Sequence, residues 1–395
     1  MTIKLIRNLL FATLPLAIAV RIHAAVTTPQ FADVFIAGQD QFKSIRIPSV
    51  LVTKAGTVLA LAEGRAAATD QANNKLILKR SSDGGKTWGA LQVIADDGKN
   101  CLNNPCAVMD AASGRIIVMF QSYPSGFSER DGKILPGLDG PAIVRNYVIH
   151  SDDNGATWSK IEDVTRTTKH AERVTILASG PGIGIQLKHG AHAGRMLIPF
   201  NEGPFGHWNV LAVFSDNGGN RWQLGEPAPN CNITNASGKS LSLVNEVQMA
   251  ELPDGTVMLN SRKWGGKPLR KIALSRDGGA TWSPIQEETA LRDPGCMASL
   301  FSLEIPGQQN LLLYSGPDSA KRENGTVHLS RDQGQTWPVK KVLWPGSFAY
   351  SVLTRLPDGE IGCLFETDEA NRIVFGRFPL AWLESGGEKS QADGQ

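Results

Sequence analysis

The sequence carries little net charge, and it lacks the cysteine and histidine spacing that binds metal. Its 40 Lys and Arg residues nearly balance its 38 Asp and Glu residues. A balance this close argues against nucleic-acid binding driven by bulk charge. Zinc sites usually combine two Cys or His pairs at characteristic spacings, and the sequence lacks this combination. We therefore expect no zinc site.

Long apolar runs are absent except at the beginning of the chain. There, Lys4 and Arg7 precede the segment LLFATLPLAIAV, and Ala24 and Ala25 follow. This pattern is typical of a secretory signal peptide covering residues 1–24. The run is too short to cross a bilayer comfortably. We expect an exported, soluble protein without a transmembrane segment, in the periplasm, at the cell surface or secreted. Removing the segment lowers the formal charge from +2 to −1, because it holds three basic residues and no acidic one.

Cysteines are few, and their number is odd. They stand at Cys101, Cys106, Cys231, Cys296 and Cys363. At least one of the five must be unpaired within a monomer. Cys101 and Cys106 flank one short stretch, and an oxidising compartment would allow them to pair. Buried free thiols are the alternative, and the sequence leaves both open.

One eight-residue phrase, Ser-x-Asp-x-Gly-x-Thr-Trp, occurs five times. The copies are SSDGGKTW (81–88), SDDNGATW (151–158), SDNGGNRW (215–222), SRDGGATW (275–282) and SRDQGQTW (330–337). The third copy is degenerate, with Asn217 for the Asp and Arg221 for the Thr. Ser, Asp and Gly are turn-forming residues, and strand-like apolar runs precede each copy. Each phrase therefore predicts a turn between antiparallel strands, with the Trp packed against the neighbouring unit.

The spacing of the repeats predicts the architecture. Successive tryptophans are 70, 64, 60 and 55 residues apart, enough for about four short strands and their loops. About six such units fit the chain. We expect an all-β six-bladed β-propeller of four antiparallel strands per blade, formed as one domain by residues 25–384 and followed by a disordered tail at 385–395. The sixth unit has no phrase. Its strands are expected from both ends of the chain: FADVFIAG and the Arg46 region at one, RIVFGRFPLAWL at the other.

Several charged or reactive residues stand at unusual positions between the repeats. Arg46 lies inside the apolar run SIRIPSV, where burial is costly unless the guanidinium faces an anion. The others occur near the ends of strand-like segments or in short loops: Arg65, Asp70, Glu246, Arg262, Arg322, Tyr350 and Glu366. Each taken alone has an ordinary structural explanation. The repeat aspartates are not candidates, because five copies around a ring cannot all face one site.

Taken together, these residues and the repeats resemble one family. A six-unit propeller with Asp boxes and an Arg-Ile-Pro near its start is similar to the bacterial exo-sialidases (neuraminidases), which are retaining glycoside hydrolases. The resemblance extends from about Phe35 to Trp382. It implies an exo-α-sialidase that removes terminal sialic acids from glycoproteins, glycolipids and oligosaccharides, acting without metal or cofactor, and expected as a monomer.

The resemblance implies a role for each candidate residue. Asp70 matches the acid/base of the family, Tyr350 the nucleophile and Glu246 the residue that activates it. The remaining matches concern the substrate: Arg46, Arg262 and Arg322 as a clamp for its carboxylate, Glu366 as support for the first arginine, and Arg65 and Asn104 as pocket residues. Asn104 replaces an Asp that is common in relatives.

Physical chemistry supports these implied roles. Three guanidiniums suit the carboxylate on the anomeric carbon of a sialic acid. A carboxylate nucleophile would be repelled by that same group, whereas a neutral phenol would not, and sialidases with a Tyr nucleophile are a known exception to two-carboxylate glycoside hydrolysis. A phenol is a poor nucleophile near neutral pH, so it needs a base within reach.

The segment Gln121–Asn146 is a long Gly- and Pro-rich loop that departs from the family pattern. It is expected either to shape the pocket, with Tyr123 and Phe127 lining it and Glu129, Arg130 and Asp131 outside, or to be a solvated surface loop. This leaves open a second function, as a hydrolase or transferase for a deaminated or eight-carbon 3-deoxy-2-keto sugar acid. A non-catalytic glycan-binding propeller is the third hypothesis, although such a protein has no need of Asp70, Glu246 and Tyr350.

Overall fold

The structure is a computed structural model that describes residues 28–234 and 238–385. The predicted signal peptide at residues 1–24 and residues 386–395 of the predicted tail lie outside the described residues. Both therefore stay predictions. No helix among the described residues is long and apolar enough to cross a membrane.

The described residues form mainly short strands arranged in six separate blades, as predicted. The sixth blade begins with β1 (Gln30–Ile36). The first blade contains β2 (Ser44–Val52), β3 (Val58–Arg65), β4 (Lys75–Ser81) and β5 (Gln92–Ala95). The second contains β6 (Cys101–Met109), β7 (Ile116–Tyr123), β8 (Arg145–Ser151) and β9 (Glu162–Asp163), followed by the short helix α1 (Thr165–Thr168). The third contains β10 (Ile176–Ser179), β12 (Ile185–Gln186), β13 (Met196–Gly203), β14 (Asn209–Ser215) and β15 (Gln223–Leu224). Between β10 and β12 lies β11 (Gly182–Ile183), which belongs to the second blade. A 3₁₀ helix covers Gly190–His192.

The second half of the chain repeats the pattern. A separate hairpin of β16 (Asn232–Thr234) and β17 (Ser240–Ser242) follows the third blade. The fourth blade contains β18 (Val244–Glu251), β19 (Val257–Lys263), β20 (Leu269–Ser275) and β21 (Gln286–Arg292). The fifth contains β22 (Ser299–Leu303), β23 (Leu311–Pro317), β24 (Glu323–Ser330) and β25 (Val339–Ser347). The sixth is completed by β26 (Ser351–Arg355), β27 (Ile361–Thr367) and β28 (Arg372–Phe378), with a 3₁₀ helix at Asp368–Ala370 before β28 and the helix α2 (Leu380–Glu384) after it.

Four blades have four antiparallel strands, and two carry one strand more. In the second blade, β11 pairs in parallel with β6, and in the third blade both β10 and β12 pair with β13. The additional strands come from the segment that crosses between these two blades. The prediction of four strands per blade therefore describes the common unit and not these insertions.

Strands from both ends of the chain close the ring. β1 pairs antiparallel with β28, so that the sixth blade has the order β1-β28-β27-β26. This confirms that the blade without a repeat combines both ends. The Arg46 region was wrongly assigned to it, because Arg46 lies on β2, the first strand of the first blade. One strand from the beginning of the chain is sufficient to complete the blade.

Each repeat forms the turn between the third and fourth strands of its blade. In the first copy, Asp83 accepts hydrogen bonds from the amide of Thr87 at 3.0 Å and from its hydroxyl at 2.6 Å, while Ser81 Oγ accepts the amide of Gly85 at 2.8 Å. Hydrogen bonds from the Thr87 side chain and backbone hold the Asp83 pKa well below its usual range. The turn is built from its own side chains, as the sequence predicts.

The repeats pack on the preceding blade. A Cβ added to Gly219 would lie 2.0 Å from Ile117, and one added to Gly85 would lie 2.2 Å from Phe375. Both glycines also have positive φ. Trp88 contacts the Phe375 ring edge-to-face, with centroids 5.4 Å apart. Glycine is therefore required here both for the turn and for close contact between blades.

All five cysteines are buried and unbonded to one another. Cys101 and Cys106 lie on the same strand, β6, and Cys101 Sγ contacts Asn103 Oδ1 at 3.3 Å. The structure therefore agrees with free thiols and not with a disulfide between Cys101 and Cys106.

Candidate active site

The predicted site residues come from several blades but meet at one end of the ring. They lie at the start of a first or third strand, at the end of a second strand, or in a loop that follows one. Because successive strands in a blade are antiparallel, these positions share one face of the propeller. The repeats follow third strands and therefore lie at the opposite face.

A cavity of about 260 Å³ opens at this end. Eight of the nine predicted residues line it, namely Arg46, Arg65, Asp70, Asn104, Glu246, Arg262, Arg322 and Tyr350. The ninth, Glu366, lies behind Arg46. The structure thus brings together residues that are up to 320 positions apart in the sequence.

Arg46 and Glu366 form a bidentate ion pair at the base of the cavity. Arg46 Nε lies 3.1 Å from Glu366 Oε1, and Nη2 lies 2.8 Å from Oε2. The backbone bulges after Arg46, with Ile47 at φ 64°, and the Ile47 amide also donates to Glu366 at 2.8 Å. Burial opposes ionisation of Glu366, but the Arg46 charge and these hydrogen bonds outweigh it and lower the pKa. The carboxylate is therefore charged and orients Arg46.

Arg262, Glu246 and Tyr350 form a second hydrogen-bonded group. Arg262 Nη1 donates to Glu246 Oε2 at 2.6 Å and to the Tyr350 hydroxyl at 2.9 Å. The Tyr350 hydroxyl donates to Glu246 Oε1. Tyr350 is brought to this position from the start of β26, while Glu246 and Arg262 come from β18 and the end of β19.

Tyr350 is a neutral phenol in this environment. Burial of the side chain, followed by the charge of Glu246, raises its pKa well above the ordinary value. The guanidinium carbons of Arg46 and Arg322 lie 5.1 Å and 5.3 Å from the centre of its ring. Since Glu246 accepts the phenolic hydrogen bond, it is positioned to remove the proton when the oxygen attacks an electrophile.

Arg322 is the third arginine of the cavity. It immediately precedes β24, the third strand of the fifth blade. Its Nη2 donates to the carbonyl of Gly295 at 2.9 Å. Among the described residues, it forms no ion pair with a carboxylate, unlike Arg46 and Arg262. Three cationic groups therefore face one cavity, and an anion bound there would be strongly favoured.

Asp70 lies at the rim of the cavity between two arginines. Arg65 Nη1 is 3.0 Å from Asp70 Oδ1, and Arg130 Nη2 is 3.8 Å from Oδ2. Arg65 is itself buried and paired with Glu63 at 2.6 Å. The Asp70 side chain is 43% exposed, so it can exchange protons with solvent while remaining oriented by Arg65.

Sequence reasoning missed the residues that position Asp70. The Asp70 carbonyl accepts hydrogen bonds from the Asn74 amide side chain at 2.7 Å and from the Asn103 amide side chain at 2.9 Å. Glu63, which is fully buried, accepts from both side chains and from Arg65. The only sequence signal for these residues was the clustering of Asn near Asp70 and Asn104. Such clusters are equally typical of turns.

Asn104 lines the cavity in a strained backbone conformation. Its φ is 56°, where the register of β6 and β7 shifts, and its amide donates to Glu63 Oε1 at 2.7 Å. Burial raises the pKa of Glu63, and the hydrogen bonds it accepts partly offset this effect. Asn tolerates positive φ better than most residues. Its position supports a pocket role, as the resemblance implied.

The segment that begins at the end of β7 contributes to the cavity, but only one of the two residues expected to line it does so. Tyr123 lines it, together with Glu129 and Arg130, which had been predicted to lie outside. Phe127 instead packs against the apolar core of neighbouring blades. The loop turns back toward Asp70, and the Arg130 guanidinium stacks on Phe205 at 5.3 Å, which brings the charged residues inward.

Further cavity residues gave no sequence signal. Trp208 and Trp264 line one side, with their rings 5.8 Å apart. Asn201 also lines the cavity, is buried, and has a side-chain oxygen without a hydrogen-bond partner among the described residues.

No group of three or more potential metal-ligating side chains occurs among the described residues. The cavity itself presents carboxylates, guanidiniums and a phenol.

The chain is similar to known proteins of one family. The profile of the BNR repeat-like domain family matches residues 56–363. A sialidase from Micromonospora viridifaciens is 35% identical over 368 residues, which are 89% of this chain and 54% of that protein. Sialidase-2 from Cricetulus griseus is 30% identical over 370 residues, covering 85% of this chain and 92% of that protein.

The chain belongs to the sialidase family. Among solved structures, the Hadza microbial sialidase Hz136 superimposes with a TM-score of 0.77 at 27% identity, covering 88% of this chain and 68% of that one. This agreement confirms the six-bladed sialidase fold. The chain spans about half the length of the Micromonospora sialidase.

Proposed function

We propose that the protein is an exported exo-sialidase that hydrolyses terminal α-ketosidically linked sialic acids of glycoconjugates with retention of configuration. The observation that carries the proposal is the contact of the Tyr350 hydroxyl with Glu246 and Arg262, with Arg46 and Arg322 beside the same ring. This geometry supports a reaction in which Tyr350 acts as the nucleophile, Glu246 as its base and the arginines as the site for a carboxylate. Membership of the sialidase family supports the same reaction.

Arg46, Arg262 and Arg322 bind the substrate carboxylate, which fixes the anomeric carbon near the Tyr350 oxygen. Tyr350 then attacks that carbon while its proton passes to Glu246, and the bond to the leaving oxygen breaks as Asp70 protonates it. The product of this step is a tyrosyl-linked sugar. Because Tyr350 is neutral before attack, it does not repel the bound carboxylate.

Water completes the reaction. Asp70, now ionised, takes a proton from a water molecule that attacks the anomeric carbon, and the Tyr350 oxygen leaves and recovers its proton from Glu246. Two displacements at one carbon give net retention. Arg65 maintains the orientation of Asp70 throughout, since its guanidinium contacts the carboxylate at 3.0 Å.

The test combines two variants with one inactivator. Tyr350→Phe removes the nucleophilic oxygen and is expected to lose activity on a fluorogenic sialoside, and a fluorinated sialosyl inactivator should label Tyr350 of the wild type. Asp70→Ala should lose more activity on natural glycans than on substrates with good leaving groups, because only the former need protonation. Normal activity of Tyr350→Phe, or equal losses of Asp70→Ala on both substrate types, would contradict the mechanism.

A related sugar acid is the second candidate substrate. The loop that departs from the family pattern contributes Glu129 and Arg130 to the cavity, and this leaves open a hydrolase or transferase for a deaminated or eight-carbon 3-deoxy-2-keto sugar acid. The same three arginines and Tyr350 would serve that reaction. Comparing kcat/KM for N-acetylated, deaminated and eight-carbon glycosides, with product analysis for transfer, separates the candidates.

A further inference from the structure

The three arginines of the cavity are oriented by different means. Glu366 contacts Arg46 through two oxygens, and Glu246 contacts Arg262. The Arg322 guanidinium lies over the Tyr350 ring and has one hydrogen bond within the described part of the chain, to the carbonyl of Gly295. Of these two contacts, only the hydrogen bond is directional, so the direction of the guanidinium depends strongly on the backbone of the segment between β21 and β22, which contains Gly295.

One buried carboxylate fixes the conformation of that segment. Asp293 Oδ1 accepts the amides of Gly295 at 2.7 Å and Cys296 at 2.9 Å. Its other oxygen accepts the amide of Lys263, the residue after Arg262, at 2.6 Å. Asp293 is 1% exposed, so these hydrogen bonds do not compete with water. A single side chain is thus bonded to the backbone beside two of the three arginines.

Arg270 holds Asp293 in place from β20. Its Nη1 donates to Asp293 Oδ2 at 3.2 Å and to the Cys296 carbonyl at 2.7 Å. Its remaining donors bond to Asn260, with Nε 2.6 Å from the side-chain oxygen and Nη2 3.2 Å from the carbonyl. Arg270 is also 1% exposed. A buried ion pair of this kind is weak evidence for stability. Here, however, Asp293 also bonds to the backbone that positions Arg262 and Arg322.

We propose that Asp293, oriented by Arg270, is a positioning residue for carboxylate binding: it sets the Gly295 carbonyl that directs Arg322 and the backbone that carries Arg262. The proposal rests on the proposed function, because it deepens the role of the arginine clamp. Neither Asp293 nor Arg270 lines the cavity. Their effect on substrate is transmitted only through the two arginines.

The experiment measures inhibition constants for two inhibitors, 2-deoxy-2,3-didehydro-N-acetylneuraminic acid and its methyl ester. Asp293→Asn replaces an acceptor oxygen with a donor facing the Lys263 amide and Arg270, so the segment must shift. The Ki of the acid is expected to rise by about tenfold or more, the loss expected when a charge-assisted hydrogen bond is misdirected. The Ki of the ester should change little, because the ester lacks the charge that the clamp binds.

Two further variants separate positioning from general destabilisation. Arg270→Lys keeps the buried charge but loses the fork that orients Asp293, and it should show the same selective loss in milder form. Glu251→Gln is the matched control. Glu251 is another buried carboxylate of the same blade that accepts two backbone amides, from Lys188 at 2.7 Å and His189 at 2.9 Å, but it lies away from the cavity. It should lower the unfolding midpoint and leave both Ki values unchanged.

The results distinguish this proposal from the proposed function. If the wild type does not prefer the acid to the ester, the carboxylate clamp itself is wrong. If the wild type has this preference and Asp293→Asn or Arg270→Lys retains it in full, only the positioning role is overturned. Loss of the preference in Glu251→Gln as well would also overturn it, because the effect would then follow from destabilisation alone.

Discussion

At the residue scale, the site is organised by carboxylates that contact arginines rather than substrate. Glu366 orients Arg46, and Glu63 orients Arg65, which in turn contacts Asp70. Both glutamates are fully buried. Removing such a carboxylate leaves a buried guanidinium without compensation, which is strongly destabilising. The charges of Glu366 and Glu63 therefore matter for the stability of the fold as well as for the site.

Glu129 makes the site sensitive to pH. Burial, followed by the charge of Asp70, raises its pKa to about 7. Below this pH the side chain is neutral, and above it a negative charge appears beside a cavity proposed to bind an anion. We therefore expect kcat/KM to fall as pH rises through about 7. Glu129→Gln, which stays neutral, should abolish this decline in a pH–rate profile.

The control for this prediction is Glu172→Gln, at an exposed position outside the cavity. Its profile should match the wild type, and an unchanged decline in Glu129→Gln would assign the titration to another group.

We expect folding stability, like activity, to fall as pH rises. Because the folded-state pKa lies above the ordinary value of 4.5, ionising Glu129 costs folding free energy as pH rises from there to about 7.

At the element scale, the repeated turn links each blade to the one before it. Gly219 and Gly218 are neighbours in the third copy, and both have positive φ. A Cβ on Gly219 would lie 2.0 Å from Ile117 of the second blade, whereas one on Gly218 would meet nothing nearer than 3.9 Å. Substituting Gly218 tests only the effect of positive φ in the turn, whereas substituting Gly219 also tests the close packing between blades.

Gly219→Ala is expected to lower the free energy of unfolding by about 2 kcal/mol more than Gly218→Ala, since overpacking of a core contact costs about 1–3 kcal/mol. Urea denaturation of both variants measures the difference. Activity of the folded variants should equal that of the wild type, because the repeats lie at the face opposite the cavity. Equal destabilisation by both substitutions would show that only the turn conformation matters.

At the scale of the whole molecule, the ring is completed by the pairing of β1 with β28. Phe35 on β1 is fully buried, while Phe31 on the same strand is 42% exposed. Residues of the cavity come from both sides of this junction, since Arg46 lies in the first blade and Tyr350 in the sixth. Opening the ring would therefore separate Arg46 from Glu366.

Phe35→Ala is expected to lower the free energy of unfolding by about 3–5 kcal/mol, the usual cost of truncating a buried Phe. Phe31→Ala should cost clearly less. In Phe35→Ala, activity and tryptophan fluorescence should be lost at the same denaturant concentration, because the closed ring unfolds as one unit. Loss of activity well before the fluorescence transition would instead indicate that the sixth blade detaches separately.

Much of this architecture follows from local sequence patterns. Five copies of a turn phrase at nearly regular spacing determine the number of blades, because each copy is built from its own Ser, Asp and Gly contacts. The copies also predict which blade must combine both ends of the chain. The signals that failed were those that depend on how a loop turns, as with Glu129, Arg130 and the residues that position Asp70.

The sequence by itself determined the blade count, the family and the nine candidate residues, because turn chemistry and unusual charge positions are properties of short segments. Only the tertiary structure decided which groups act on one another. The contact of Arg46 with Glu366 spans 320 positions, and Asp293 affects Arg322 only through the backbone of Gly295. Such contacts arise when antiparallel strands of six blades bring their ends to one face, and no local pattern encodes that convergence.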